Sequence, residues 1–166
     1  MQRIECSRYL PPPFRTSHLL TCRIGKGSAH AIPADFYKEE DCKRMAAELS
    51  KKETKLHVLV NNSGSNWGAG FDEYPDAAWT RVLTLNLHRV FTITQLVTPL
   101  LEAGASSGDP ARIINIGSVD GLRVPALETF APAKLVFIIF QEYLQTTWAR
   151  GISLVMRWHV DHSRVR

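Results

Sequence analysis

Three polar side chains stand where they could do chemistry. They are a serine after a buried strand, a lysine at the start of an apolar helix and an asparagine on a helical stripe: Ser118, Lys134 and Asn86. A hydroxyl at the carboxyl end of a strand can donate to a carbonyl oxygen and polarise it. No histidine or acid is placed to make Ser118 a nucleophile, and Gly117 lacks the G-x-S-x-G frame. The alternative for Ser118 is a cap or turn at the strand exit.

Asn86 and Lys134 also have purely structural alternatives. Asn86 falls between Leu83 and Val90 on an apolar stripe, where an amide is costly unless its hydrogen bonds are satisfied. It could therefore tie its helix to a neighbouring backbone. Lys134 could extend its ammonium group from the apolar helix into solvent.

The elements that must position these residues alternate between strands and helices. The Leu56–Val60 run is apolar on both faces, which is typical of a parallel sheet covered by helices on each side. The other predicted strands are Ala29–Ala34, Arg112–Ile116 and Ile152–Met156, and the predicted helices are Tyr37–Lys51, Asp76–Leu101 and Lys134–Ala149. This alternation predicts an α/β fold with a doubly wound parallel sheet.

The chain is predicted to hold one domain. Its 166 residues and 45% hydrophobic content suit a single core. We expect an irregular segment over residues 1–28, which contains three consecutive prolines, then a domain over residues 29–156 and a basic tail over residues 157–166. Gly25-Lys26-Gly27-Ser28 lacks the spacing of a phosphate loop and is interpreted as a turn.

Four motifs, in this order and spacing, resemble the short-chain dehydrogenase/reductase family. Asp35 follows a predicted strand, Asn61-Asn62-Ser63-Gly64 is similar to the family's NNAG strand end, Leu85-Asn86-Leu87 to its helix asparagine, and Ile114-Asn115-Ile116-Gly117-Ser118 to the strand that carries its serine. The likeness extends from Ala29 to Arg150. Within the family, the chain resembles the ketoacyl-reductase-like members at Trp67, Pro75, Trp79 and the segment Gly121-Leu122-Arg123-Val124-Pro125.

The resemblance implies a Rossmann-like oxidoreductase that uses NADP or NAD to reduce a ketone or oxidise an alcohol. By that resemblance Ser118 polarises the substrate carbonyl, Lys134 binds the cofactor ribose and Asn86 holds a water in the proton relay. Asp35 would contact the adenine. The backbone of Asn61, Asn62 and Gly64 would lie against the adenosine ribose. Asp35 also has an N-cap or turn alternative, and the Asn61–Gly64 segment has a strand-to-loop turn alternative.

Two departures from the family pattern predict little or no reductase activity. The residue four before Lys134, where the family has its proton-donating tyrosine, is Phe130, and counting forward from Ser118 leads to Pro132. Tyr143 would lie on the opposite helical face. No glycine-rich phosphate motif is present, so the fold is expected to be incomplete, with the first strand–helix–strand missing and the choice between NAD and NADP unreadable.

The alternative function is a non-catalytic, truncated homologue that acts as a dimerisation or interaction module. In the family, the helices that carry the asparagine and the lysine commonly build dimer interfaces. The helix after Lys134 is strongly apolar through Phe137-Ile138-Ile139-Phe140, so a homo-oligomer or pairing with a full-length relative is a second hypothesis.

Composition and charge narrow the remaining classes of function. A net charge of +4 without a dense basic stripe argues against nucleic-acid binding. Three widely spaced cysteines (Cys6, Cys22 and Cys42) predict reduced thiols in a soluble, cytoplasmic protein, and no apolar run is long enough to span a membrane. His159 and His162 have no evident third ligand, so we expect no metal site.

Overall fold

The computed structural model describes residues 4–5, 30–118 and 152–159. Within them a parallel sheet of four strands has the order β1 (Ile4–Glu5), β2 (Val58–Asn61), β3 (Ala111–Ser118) and β4 (Ile152–His159). Asn61 of β2 is in register with Asn115 of β3, and Ser118 of β3 with His159 of β4. Because every strand is parallel, their carboxyl ends meet at one edge of the sheet, here called the carboxyl edge. The predicted incomplete Rossmann-like sheet is confirmed.

Helices form in two of the segments where the apolar patterns predict them. They are α1 (Glu39–Lys52), α2 (Asp76–Leu83) and α3 (Arg89–Gly104), with a π-helical turn over Thr84–His88 and a 3-10 turn over Phe71–Glu73. In α1 three acidic residues occupy the first turn and two lysines the last, which complements the helix dipole. Its buried face repeats at helical spacing through Cys42, Met45, Ala46 and Leu49.

The core lies where α3 packs against α1, β2 and β3. All four residues of β2 are buried, which is the pattern of a strand covered on both faces. Val97, Leu101 and Ile113 are among its most deeply buried side chains, and the rest of the cluster is Phe36, Cys42, Met45, Ala46, Leu49, Leu56, Leu59, Ile93, Ala111 and Ile152. At the end of α3, a Cβ added to Gly104 would overlap the carbonyl oxygen of Leu56, so this close approach requires glycine.

One prediction about the start of the chain is wrong. No strand forms over the described residues 30–35. Pro33 has no N–H for a ladder, and its carbonyl instead accepts a hydrogen bond from Arg44 Nη2 at 2.6 Å. Conversely, Ile4–Glu5 forms a strand inside the segment predicted to be irregular, where it pairs with Leu59 and Val60 and satisfies backbone groups at that side of β2. A two-residue strand is too short to produce a periodic pattern.

Other predicted boundaries also differ from the structure. The predicted helix Asp76–Leu101 contains the π-helical turn and continues to Gly104. β4 extends beyond Met156 to His159, because its ladder with β3 continues to Ser118, so the first three residues of the predicted basic tail lie in a strand. The predicted helix Lys134–Ala149 lies outside the described residues.

Candidate functional site

The side chain of Asn86 binds the loop that follows β2. Its Oδ1 accepts the backbone N–H of Ser65 at 2.9 Å, and its Nδ2 donates to the carbonyl of the same residue at 2.7 Å. A Cβ on Gly64 would lie 2.6 Å from Asn86 Oδ1, so glycine lets the loop approach this closely. The amide therefore makes the helix-to-backbone tie that was one of the two interpretations of Asn86.

Asn86 also lies at the centre of the π-helical turn. The backbone N–H of Arg89 donates to the carbonyl of Thr84, five residues back, where an α-helix would use a spacing of four. Such a turn interrupts the regular ladder of backbone hydrogen bonds and occurs often at functional sites. Apolar periodicity could not reveal it, because residues on both sides of the turn still face the core.

A buried network of side-chain amides joins β2 to β3 beside this loop. Asn61 Nδ2 donates to Asn115 Oδ1 at 2.7 Å and to Thr94 Oγ1 at 3.2 Å. Asn115 is only 2% exposed, so its carbonyl oxygen depends on this partner. Sequence reasoning assigned no role to Asn115 or Thr94, although a polar residue inside the apolar run of β3 was an available signal. The network joins the end of β2 to β3 and to α3.

The turn of Asp35 to Lys38, before α1, is held by its own aspartate. Tyr37 N–H donates to Asp35 Oδ1 at 3.1 Å, and Lys38 N–H donates to the carbonyl of Asp35 at 2.9 Å. The Asp35 N–H donates to Asp41 Oδ2 at 2.8 Å. That hydrogen bond, followed by the one from Arg44, holds the pKa of Asp41 below its ordinary value. Asp35 is therefore a turn residue in this structure, as one of its two interpretations had it. Its carboxylate is partly exposed.

Arg89 connects this turn to the start of α3. Its Nε donates to the carbonyl of Phe36 at 3.0 Å and its Nη2 to the carbonyl of Tyr37 at 3.3 Å. A small pocket opens between the turn, the end of β2 and the helix, and its lining residues are Phe36, Val60, Asn61, Asn62, Ser63, Leu85, Arg89, Val90 and Ile93. Both apolar and polar residues line the pocket, as is common in ligand pockets.

The structure thus brings most of the described candidate residues to one place. The turn after Asp35, the segment with Asn61, Asn62 and Gly64, and the helix turn with Asn86 all meet at the carboxyl edge. Ser118 ends β3 at the same edge, opposite His159, although its side chain lies outside the described part. Lys134 lies outside it as well. Within the described ranges, no group of three potential metal ligands occurs and no helix is long and apolar enough to cross a membrane.

A sequence model of the family described as short chain dehydrogenase matches residues 16–156. Over 110 residues the chain is 42% identical to a rhamnolipids biosynthesis 3-oxoacyl-[acyl-carrier-protein] reductase of Pseudomonas aeruginosa, an alignment that covers 65% of this chain and 43% of the relative. Over 91 residues it is 35% identical to an acetoacetyl-CoA reductase of Allochromatium vinosum, with 54% of this chain and 35% of that protein covered. The chain therefore spans less than half the length of these relatives.

Solved structures have the same fold. The Pseudomonas aeruginosa RhlG/NADP active-site complex superposes with a TM-score of 0.74 at 36% identity, covering 78% of this chain and 52% of that one. A short-chain oxidoreductase of Brucella ovis with a partially ordered NAD gives a TM-score of 0.66 at 24% identity, covering 80% and 64%, and supports the fold alone. The family match and this geometry agree: the chain belongs to the short-chain dehydrogenase/reductase family.

Proposed function

We propose that the chain is an oxidoreductase that binds NADP or NAD and acts on a ketone or an alcohol. The observation that carries the proposal is the meeting of three separate segments at the carboxyl edge of a parallel sheet. They are the Asp35–Lys38 turn, the end of β2 and the π-helical turn. In open α/β sheets, this edge is where ligands bind.

The residues at this edge fit the adenosine half of a dinucleotide. Phe36, Leu85 and Val90 supply the apolar part of the lining of the small pocket at this edge. Asn62 is exposed beside them, and the carboxylate of Asp35 is partly exposed, so both can reach a polar group of the nucleotide. Gly64 allows backbone to lie close to neighbouring groups without a side chain in the way.

A bound nicotinamide cofactor would supply the hydride, and the chain would orient the substrate. Ser118, at the end of β3, would donate a hydrogen bond to the substrate carbonyl oxygen and polarise it. Lys134 would bind ribose. The π-helical turn at Asn86 frees backbone groups from the helix ladder, which suits the holding of a water.

This chain has no tyrosine at the position expected for the proton donor. Neither Phe130 nor Pro132, the residues at the expected place of the tyrosine, carries a transferable proton. General acid catalysis contributes about 10²- to 10⁴-fold to a rate. We therefore propose that this chain turns over slowly even where it binds nucleotide.

The substrate proposal follows from the relatives' names. One is a 3-oxoacyl-[acyl-carrier-protein] reductase and another an acetoacetyl-CoA reductase, and both names describe 3-oxoacyl thioesters. A small 3-oxoacyl thioester is accordingly the carbonyl substrate to test first.

The deciding experiment is titration of the purified chain with NADPH and with NADH, followed by nucleotide fluorescence and thermal stability. Saturable binding would add about 2.7 kcal/mol of stability at a hundredfold excess over the dissociation constant. The matched pair of variants is Gly64→Ala, whose Cβ would displace Asn86 Oδ1, and Gly70→Ala, whose Cβ meets nothing within 4 Å. Binding should weaken in the first and persist in the second. A folded chain that binds neither nucleotide would refute the proposal.

Pairing with another copy or with a full-length relative is a second candidate function. Phe91 on α3 is 41% exposed, so it offers apolar surface that a partner could cover. Light scattering after size exclusion tests it, with Phe91→Gln expected to shift a dimer towards monomer. A monomer at all accessible concentrations would remove self-association as a role.

A further inference from the structure

Arg89 is a buried arginine that forms no salt bridge with a carboxylate among the described residues. It is only 8% exposed, and the ion pairs of the described part of the chain do not include it. A buried guanidinium is unfavourable unless its donors are matched. Its presence at the wall of the pocket therefore calls for an explanation beyond packing.

Two of its three nitrogens hold the Asp35–Lys38 turn. Nε and Nη2 donate to the carbonyls of Phe36 and Tyr37 at 3.0 and 3.3 Å, across more than fifty residues of sequence. Nη1 is buried and has no acceptor among the described residues. An unmatched buried donor costs about 1 to 3 kcal/mol, so the fold alone gains little from placing an arginine here.

Arg81, a second arginine on the same helical segment, also contacts the Asp35–Lys38 turn. Arg81 Nε donates to the Tyr37 hydroxyl at 3.1 Å, and its guanidinium carbon lies 5.2 Å from the centre of the Tyr37 ring. Arg81 and Arg89 lie on opposite sides of the π-helical turn that contains Asn86. One helical segment therefore holds both the turn before α1 and the loop after β2.

We propose that Arg89 is a positioning residue for the purine base of the nucleotide. It holds the Asp35–Lys38 turn beside the pocket that Asn62 also lines, and so keeps the turn in place for a base that packs there. This inference rests on the proposed nucleotide-binding function and adds a residue to it. Arg89 acts through the backbone carbonyls of Phe36 and Tyr37, and its positive charge lies at the pocket wall.

The test combines AMP binding with hydrogen exchange of the nucleotide-free chain. The exchange reporters are the amides of Tyr37 and Lys38, which are hydrogen-bonded to Asp35. In Arg89→Met we expect both amides to exchange faster. We also expect AMP affinity to fall about 10- to 100-fold, the range that hydrogen bonds from a charged donor provide. Arg89→Lys keeps the charge and can reach one carbonyl, so it should restore part of the affinity.

Arg112→Met is the matched control. Arg112 pairs with Asp109 at 2.8 Å near the amino end of β3, away from the pocket, so this variant should leave exchange and AMP binding unchanged. Should Arg89→Met fail to fold, Arg81→Ala at an exposed position loosens the same turn and should speed the same two amides.

The outcomes separate the two proposals. AMP binding of equal strength in the unmodified chain and in Arg89→Met would overturn the positioning role while leaving nucleotide binding in place. Unchanged exchange of Tyr37 and Lys38 would overturn it as well. An unmodified chain that binds none of AMP, NADH and NADPH would instead refute the proposed function, on which the role of Arg89 depends.

Discussion

The amide pair between β2 and β3 allows a quantitative prediction. Asn61 and Asn115 are register partners on adjacent parallel strands, and their side chains are joined by a hydrogen bond of 2.7 Å in a buried position. In Asn61→Leu the oxygen of Asn115 loses its donor and stays buried. We expect a loss of about 2 to 4 kcal/mol of unfolding free energy, from an unsatisfied polar group together with the lost hydrogen bonds.

The reverse substitution should be milder. In Asn115→Leu the Nδ2 group of Asn61 retains Thr94 Oγ1 as an acceptor at 3.2 Å, so a loss of about 1 to 2 kcal/mol is expected. The double variant replaces both amides by apolar groups of similar size, a change that can be nearly neutral. The sum of the single losses should therefore exceed the loss in the double variant by at least about 1 kcal/mol.

Urea denaturation followed by circular dichroism measures all three variants. Asn66→Leu, at an exposed position in the loop after β2, is the matched control and should change stability by no more than about 0.5 kcal/mol. If the two single losses add to the double loss within about 0.5 kcal/mol, the amides are not coupled and the reasoning is refuted.

Three further predictions concern packing, acid stability and thiol reactivity. Gly104→Ala should lower the unfolding free energy by about 1 to 3 kcal/mol in urea denaturation, because its Cβ would overlap the backbone of Leu56. Gly108→Ala, whose Cβ would lie in open space, should leave the unfolding free energy unchanged. Equal losses in the two variants would contradict the close approach of Gly104 to Leu56. Because the backbone N–H of Asp35 lowers the pKa of Asp41 below 3.8, the stability from Asp41 is complete above that pH and is lost as pH falls through the lowered pKa. The difference in unfolding free energy between the native chain and Asp41→Asn should therefore disappear at acidic pH. A difference that stays the same at low pH would contradict a stabilising role of the Asp41 carboxylate. Burial raises the pKa of the Cys42 thiol. Peptide mapping should therefore find Cys42 unmodified by iodoacetamide until the chain is denatured. Rapid labelling of Cys42 in the native chain would contradict its burial.

The sequence by itself determined the order of the main elements and the class of the fold. Apolar runs such as Leu56–Val60 and the acidic start and basic end of α1 are local signals, which residue spacing carries directly. Resemblance to a family also marked Asn61, Asn62 and Gly64 as candidate cofactor-binding residues and Asn86 as a candidate catalytic residue. The predicted Ala29–Ala34 strand is wrong because Pro33 has no N–H to donate to a neighbouring strand and its carbonyl accepts a hydrogen bond from Arg44.

Only the tertiary structure decided how the site is held together. The contacts of Asn86 with Ser65, of Asn61 with Asn115 and of Arg89 with Phe36 join residues 21, 54 and 53 positions apart. Such contacts depend on which strands become neighbours and where a helix turn widens to the π form. No local pattern records those events, because buried polar groups find partners through the folded chain and not through their sequence neighbours.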